Sequence, residues 1–229
     1  MIVDVVIPAF NEESSISRVI HAIPGKWVRN IIVGNNGSTD GTKSAALAAG
    51  AIVVDQIHPG YGNACLAALA FIASHGEKPD IVVFLDGDYS DYPEQLPDLV
   101  TPIMVQGFDM VIGSRVLGTR ERGALLPQQR FGNALATFLI RMFYGYTFTD
   151  LGPFRAIRYE RLMQLQMEDK NYGWTAEMQV KAAQQKMKCT EVAVNYRKRI
   201  GKSKVSGTLT GSLKAGYKIL YIIFKQWFR

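Results

Sequence analysis

Short apolar runs that alternate with helix-length segments set the strongest limit on what this chain can fold into. IVDVVI, NIIVG, AIVVD, DIVVFLD and DMVIGS are almost continuously apolar, and NEESSISRVIHAI, TDGTKSAALAAG, GNACLAALAFIASHG and PEQLPDLVTPIMVQG separate them. Strands buried on both faces read this way, and parallel neighbours need a helical crossover. Residues 1–115 are therefore expected to form an open, mostly parallel, Rossmann-like α/β sheet flanked by helices. Ligands of such sheets bind beyond the carboxyl ends of the strands. Three polar clusters fall at those ends: PAFNEE at 8–13, NNGSTDGT at 35–42 and DGDYSD at 86–91. They are expected to converge on one site.

The pattern loosens after residue 115. LGTRERGALLPQQ reads as a polar loop, RFGNALATFLIRMFYG and WTAEMQVKAAQQKM as helices, and KCTEVAVNYRKR as a strand. RKRIGKSKVSGTLTG, residues 197–211, is basic and rich in Gly and Ser, as expected of a mobile loop. At 229 residues and 48% hydrophobic, the chain can bury the core of one large domain, expected over 1–206. A basic, aromatic helix at 207–229 follows, with Lys214, Lys218, Lys225 and Arg229 among Ile222, Phe224, Trp227 and Phe228. Such a helix suits an anionic membrane surface or a partner subunit, and equally the chain's own domain.

No apolar stretch is long enough to promise a membrane-spanning helix. The N-terminal run has no basic flank and reads as a first strand rather than an export signal. Cys65 and Cys189 lie far apart without CxxC spacing, which suits a reducing compartment. A cytoplasmic protein able to sit on the cytoplasmic face of a membrane is expected. The charge of +6 and pI near 9.3 permit an acidic partner. Nucleic acid is not expected, because the basic residues gather in one loop and one terminal helix without a recognition module.

Asp86 and Asp88, one glycine apart behind an apolar strand, can offer two hard oxygen ligands to Mg²⁺ or Mn²⁺, with Gly87 allowing the turn between them. Cations of this kind are commonly shared with a substrate's phosphates. In NNGSTDGT, Ser38 or Thr39 can cap the following helix, which leaves the amides Asn35 and Asn36 unexplained.

IPAFNEE, NNGSTDGT, GYGNA, FLDGDYSDYPE, VIGSR, DLGPFRA and RIGKSKVSG, in this order, resemble the family-2 glycosyltransferases of GT-A fold. Within that family they are most similar to the polyprenyl (dolichyl) phosphate hexose synthases. The resemblance spans about residues 2–210. It implies a nucleotide-diphosphate sugar donor, a divalent cation, and inverting transfer of a hexose. It places the nucleoside at Pro8, Ala9, Phe10, Asn11 and Glu12 with Asn35 or Asn36, and puts Asp86 at the ribose and the metal's waters and Asp88 on the metal, with Gly87 between them. The basic loop, with Arg199 and Lys204 and hinges at Gly201 and Gly207, would close over the diphosphate. Relatives usually carry aspartate where Asn35 and Asn36 stand. Asparagine both donates and accepts, so uridine and guanosine both stay open as the base.

The acceptor follows from which groups line the site. A hydroxyl needs a general base, whereas a phosphate is largely ionised near neutral pH. The resemblance implies that Arg115, and a second arginine for which Arg130 is the choice, hold an acceptor phosphate. Arg155, Arg197 and Lys202 are further cations suited to it. Glu177 is expected to face the sugar or acceptor, although its i+4 neighbour Lys181 allows a plain ion pair. The stripe Leu135, Phe138, Leu139, Met142 and Phe143 would receive a lipid tail together with the C-terminal helix, unless it is simply core. Transfer to a hydroxyl with Glu177 as base, and a non-catalytic nucleotide-sugar-binding protein, are the alternatives. A nucleotidyltransferase is disfavoured, because no GxGTR-like signature follows the first strand.

Overall fold

The computed structural model describes residues 1–201 and 209–228. Its sheet has seven strands: β1 (Val3–Ala9), β2 (Asn30–Asn35), β3 (Ile52–Asp55), β4 (Ile81–Phe84), β5 (Met110–Ser114), β6 (Arg155–Arg158) and β7 (Cys189–Ala193). Their spatial order is β3-β2-β1-β4-β6-β5-β7, and every pair is parallel except those made by β6. The expected α/β architecture holds, with one addition. β6 slots antiparallel between β4 and β5, pairing Phe84 with Arg155 on one side and Ile112 with Arg155 on the other.

Alternation along each central strand divides the core in two. Val3, Val5 and Ile7 of β1 face α1 (Ile16–Ala22), α2 (Thr42–Ala48) and α4 (Leu96–Gln106). Val6, Phe84 and Ile112 face α3 (Tyr61–Ser74), α5 (Pro127–Tyr144), α6 (Tyr159–Leu165) and α7 (Trp174–Gln184). Period-two alternation with both faces buried explains why these strands read as unbroken apolar runs. Gly34 is needed for the close approach of α3 to β2, since a Cβ there would lie 2.5 Å from the Ala64 carbonyl oxygen.

The last helix, α8 (Leu209–Trp227), packs on the domain rather than trailing from it. Ile222, Ile223 and Gln226 are buried against α5 and α7, and Tyr144 Oη donates to the Ile223 carbonyl at 2.5 Å. Phe143 packs on Phe224 and Trp227 with ring centroids 5.4 and 5.2 Å apart. Lys218 and Lys225 of α8 pair with Asp169 at 2.8 Å and Glu168 at 3.7 Å. Among the described residues no helix is long and apolar enough to cross a membrane.

Candidate active site

The ends of β1, β2 and β4 lie side by side, so their loops meet as expected. Asn11, in a left-handed conformation at φ 53°, ties the first two together: its amide donates to Ser38 Oγ at 3.0 Å, and its Oδ1 accepts from Thr39 N at 2.8 Å. Glu12 N donates to Thr42 Oγ1 at 2.8 Å. Ser38 therefore braces the neighbouring loop, and α2 starts later than its expected cap, after Gly41. Asn35 is spent internally, donating to Asp55 Oδ1 at 2.8 Å and accepting from Ser38 N at 3.3 Å. Asn36 Oδ1 accepts from Gly60 N at 3.0 Å, and its backbone N donates to the Ala9 carbonyl. Pro8 and Ala9 belong to β1, and Phe10 is exposed beside them.

Asp86 and Asp88 follow β4 and border one large cavity. Asp88 is 5% exposed. Its Oδ1 accepts from Ser90 N at 2.9 Å and Ser90 Oγ at 2.5 Å, and its Oδ2 faces Arg199 Nη1 at 3.2 Å. Arg199 also reaches Glu12 Oε1 at 3.0 Å, so one guanidinium joins the first and third loops. Asp86 Oδ1 accepts from Tyr61 Oη at 3.1 Å. Burial, then the charge of Asp88, pushes the Asp86 carboxyl up to about 7, with Tyr61, Arg199 and Arg115 opposing the shift. Burial and the same two carboxylates push Asp91 well above the usual range. Neither oxygen of Asp91 has a hydrogen bond of ordinary geometry. Gly87 and Asp88 form the turn, as expected, but without the positive φ that only glycine adopts freely. The left-handed residue is Tyr89 at φ 63°, and a Cβ on Gly87 would meet Ile16, Ile7 and Ala9 at ordinary distances.

This donor set fits a hard divalent cation. Two buried carboxylates, Asp88 and Asp91, and the half-buried Asp86 crowd one strand end, two of the three have raised pKa values, and one arginine pairs with Asp88. Removing charge from water without compensation is expensive, so the cluster favours a cation. Among the described residues no three carboxylate, His or Cys side chains converge as metal ligands, so Asp86 and Asp88 would leave coordination positions for a phosphorylated substrate.

The cavity, of about 1370 Å³, runs from Asp86 and Asp88 past Arg115 and Arg130 and on between α5 and α8. Arg115 is gripped by Asp150, with Nε–Oδ2 and Nη2–Oδ1 both 2.7 Å, and lies 5.1 Å from the centre of the Tyr196 ring. Burial alone would lower its pKa, but the attraction and hydrogen bonds of Asp150 outweigh that and raise it. Arg130 is exposed on α5 at the cavity wall.

Two of the remaining arginines serve the scaffold. Arg155 is fully buried and donates to the Leu151 and Thr175 carbonyls and to Gln179 Oε1, and burial drops its pKa to about 10. Arg197 lies over the rings of Tyr89 and Tyr92 at 3.5 and 4.1 Å, donating to the carbonyls of Tyr89 and Asp91. Lys202 and Lys204 lie outside the described residues.

Glu177 does not join the other site residues. Its buried carboxylate accepts from the amides of Glu168 and Asp169 and pairs with Lys181 at 2.8 Å, away from the cavity lining. Tyr61 and Asp150, within GYGNA and DLGPFRA, also line the cavity, and neither is singled out by its motif.

The model of glycosyl transferase family 2 matches residues 4–165, so the chain belongs to that family and is a glycosyltransferase. An uncharacterized glycosyltransferase of Mycobacterium tuberculosis is 36% identical over 215 residues, which is 93% of this chain and 94% of that protein. A dolichyl-phosphate hexose transferase of Haloferax volcanii is 30% identical over 229 residues, covering 98% and 95% of the two chains. Among solved structures, glucosyl-3-phosphoglycerate synthase from M. tuberculosis, in complex with Mn²⁺, UDP-glucose and phosphoglyceric acid, is similar with a TM-score of 0.76. It is 25% identical, and the match covers 99% of this chain and 79% of that one.

Proposed function

We propose that this glycosyltransferase moves a hexose from a nucleotide-diphosphate sugar, UDP- or GDP-linked, to a polyprenyl or dolichyl phosphate, using a divalent cation. The observation that carries the reading is the cavity's two-part lining. Asp86, Asp88 and Arg115 line it from the strand-end loops, and Phe131, Phe138, Leu213 and Tyr217 line it from α5 and α8. A phosphate headgroup with a hydrocarbon tail matches both parts.

Asp86 and Asp88 would hold the cation, which neutralises charge building on the leaving diphosphate. The loops at Pro8–Glu12 and Asn35–Asn36 bind the nucleoside, and Arg199 lies where it can turn to the diphosphate. Arg115, oriented by Asp150, and Arg130 hold the acceptor phosphate facing the sugar. An ionised phosphate oxygen needs no base, and the carboxylates lining the cavity among the described residues already have partners or the cation to serve. They are Asp86, Asp88 and Asp150, the last already bound by Arg115.

Exposed Phe131, Tyr217 and Phe228, at 72%, 72% and 82%, together with Arg141 and Lys214, suit the cytoplasmic face of a membrane. The likeness to glucosyl-3-phosphoglycerate synthase favours, as a second reading, a small phosphorylated acceptor. In that case Glu177, turned into the 168–169 turn, is not the base.

The test is turnover of a panel of UDP- and GDP-sugars with Mn²⁺ or Mg²⁺, with and without a short-chain polyprenyl phosphate. Nucleotide diphosphate released only with the lipid phosphate is the expected result. Release stimulated by phosphoglycerate instead would select the second reading, and no release from any donor would leave the non-catalytic binder.

A further inference from the structure

The turn at residues 168–173 connects the C-terminal helix to the catalytic end of the sheet. Glu177 fixes the turn from below through the amides of Glu168 and Asp169. Asp169 is buried; its Oδ1 accepts from Asn171 N at 2.8 Å and Gly173 N at 3.0 Å, and its Oδ2 pairs with Lys218 of α8 at 2.8 Å. On its other side the turn seats the start of α3. Asn63 N donates to the Lys170 carbonyl at 3.0 Å. Backbone contact is so close that a Cβ on Gly60 would lie 2.0 Å from the Lys170 oxygen, and one on Gly62 would lie 1.9 Å from the Asp169 oxygen.

The first residues of α3 are the ones that touch the donor loops. Gly60 N donates to Asn36 Oδ1 at 3.0 Å, and Tyr61 Oη donates to Asp86 Oδ1 at 3.1 Å. An unbroken series of bonds and close packing therefore runs from Lys218 through Asp169 to Tyr61 and Asp86.

We propose that Lys218 and Asp169 are positioning residues for the donor site: by docking α8 on the 168–173 turn they hold Tyr61 against Asp86, so the helix that lines the acceptor groove also shapes the nucleotide pocket. The inference rests on the donor-site reading for where the nucleotide binds. It adds that a side chain on α8 controls that binding from outside the pocket. A contiguous series of bonds and packed backbone can carry energetic coupling between sites, and double-mutant cycles measure it.

The experiment is titration calorimetry of UDP and GDP with Mn²⁺, at a temperature where every variant is verified as folded by its near-ultraviolet circular dichroism. Tyr61→Phe removes one hydrogen bond from Asp86 and is expected to weaken binding about fivefold. Lys218→Gln is expected to weaken it by a similar factor, and Lys218→Arg, which keeps the ion pair, to restore it. Because Lys218 acts through Tyr61, the double variant should bind like Tyr61→Phe alone. A structural role confined to stability would lower the melting temperature and leave affinity unchanged. Unchanged affinity in Lys218→Gln while the wild type binds, or losses that multiply in the double variant, would overturn the inference alone. A wild type that binds neither nucleotide would overturn the donor-site reading first and the inference with it.

Discussion

Lowering the pH from 8 to 6 should stabilise this protein when divalent cations are withheld, the reverse of the usual acid response. Asp86 titrates near 7 in the fold, while an aspartate in the unfolded chain titrates near 4. Between those values the folded state holds a proton that the unfolded state has lost. Stability therefore falls as pH rises from about 4 to about 7 and levels off above that. Three pH units at 1.36 kcal/mol each give about 4 kcal/mol as the upper bound of the Asp86 contribution, reduced by solvent screening because Asp86 is only half-buried. Burial shifts Asp91 and Glu191 the same way, whereas Asp55, lowered by Lys43 and Asn35, is too exposed to cancel them. Asp86→Asn keeps an acceptor for Tyr61 Oη and removes the half-buried charge, so it should stabilise the protein at pH 8 by up to a few kcal/mol and flatten the profile. Urea unfolding in EDTA at pH 6, 7 and 8 measures both. Wild-type stability that rises toward pH 8, or a slope unchanged in Asp86→Asn, would refute the reasoning.

Three further outcomes follow from the geometry. Arg199→Gln removes the one cation paired with Asp88 among the described residues, so Mn²⁺ affinity without nucleotide should rise about fivefold, read by electron paramagnetic resonance, while nucleotide affinity in Mn²⁺ falls. Gly62→Ala places a methyl group 1.9 Å from the Asp169 carbonyl oxygen. It should lower the melting temperature by about 5–10 °C in a scanning measurement. Replacing exposed Phe131 and Tyr217 together by Asp should weaken sedimentation with anionic vesicles without lowering the melting temperature.

The alternation of residues 1–115 was legible because each strand there is buried on both faces and each crossover is helical. β6 was not, because RAIR is short and begins with an arginine. Its burial works only because the carbonyls of Leu151, four positions back, and Thr175, twenty ahead, satisfy the guanidinium. The meeting of the three loops followed from the parallel sheet alone. Their internal wiring did not, since Asn35 turning to Asp55 and Ser38 turning to Asn11 depend on side-chain directions that no spacing encodes. Glu177 illustrates the same limit: an i+4 lysine accompanies it whichever way its helix face turns, and the face it shows is the 168–169 turn. Tyr61 lay inside a quoted motif, yet its role depends on a contact with Asp86 twenty-five positions away.

The most direct test of the proposed reaction is the chemistry of its product. With a hexose labelled in the donor, Mn²⁺ and a polyprenyl phosphate, the label should enter the organic phase. It should be released by mild acid, as expected of a glycosyl phosphate. Label that stays water-soluble, or a product stable to mild acid, would contradict transfer to a lipid phosphate.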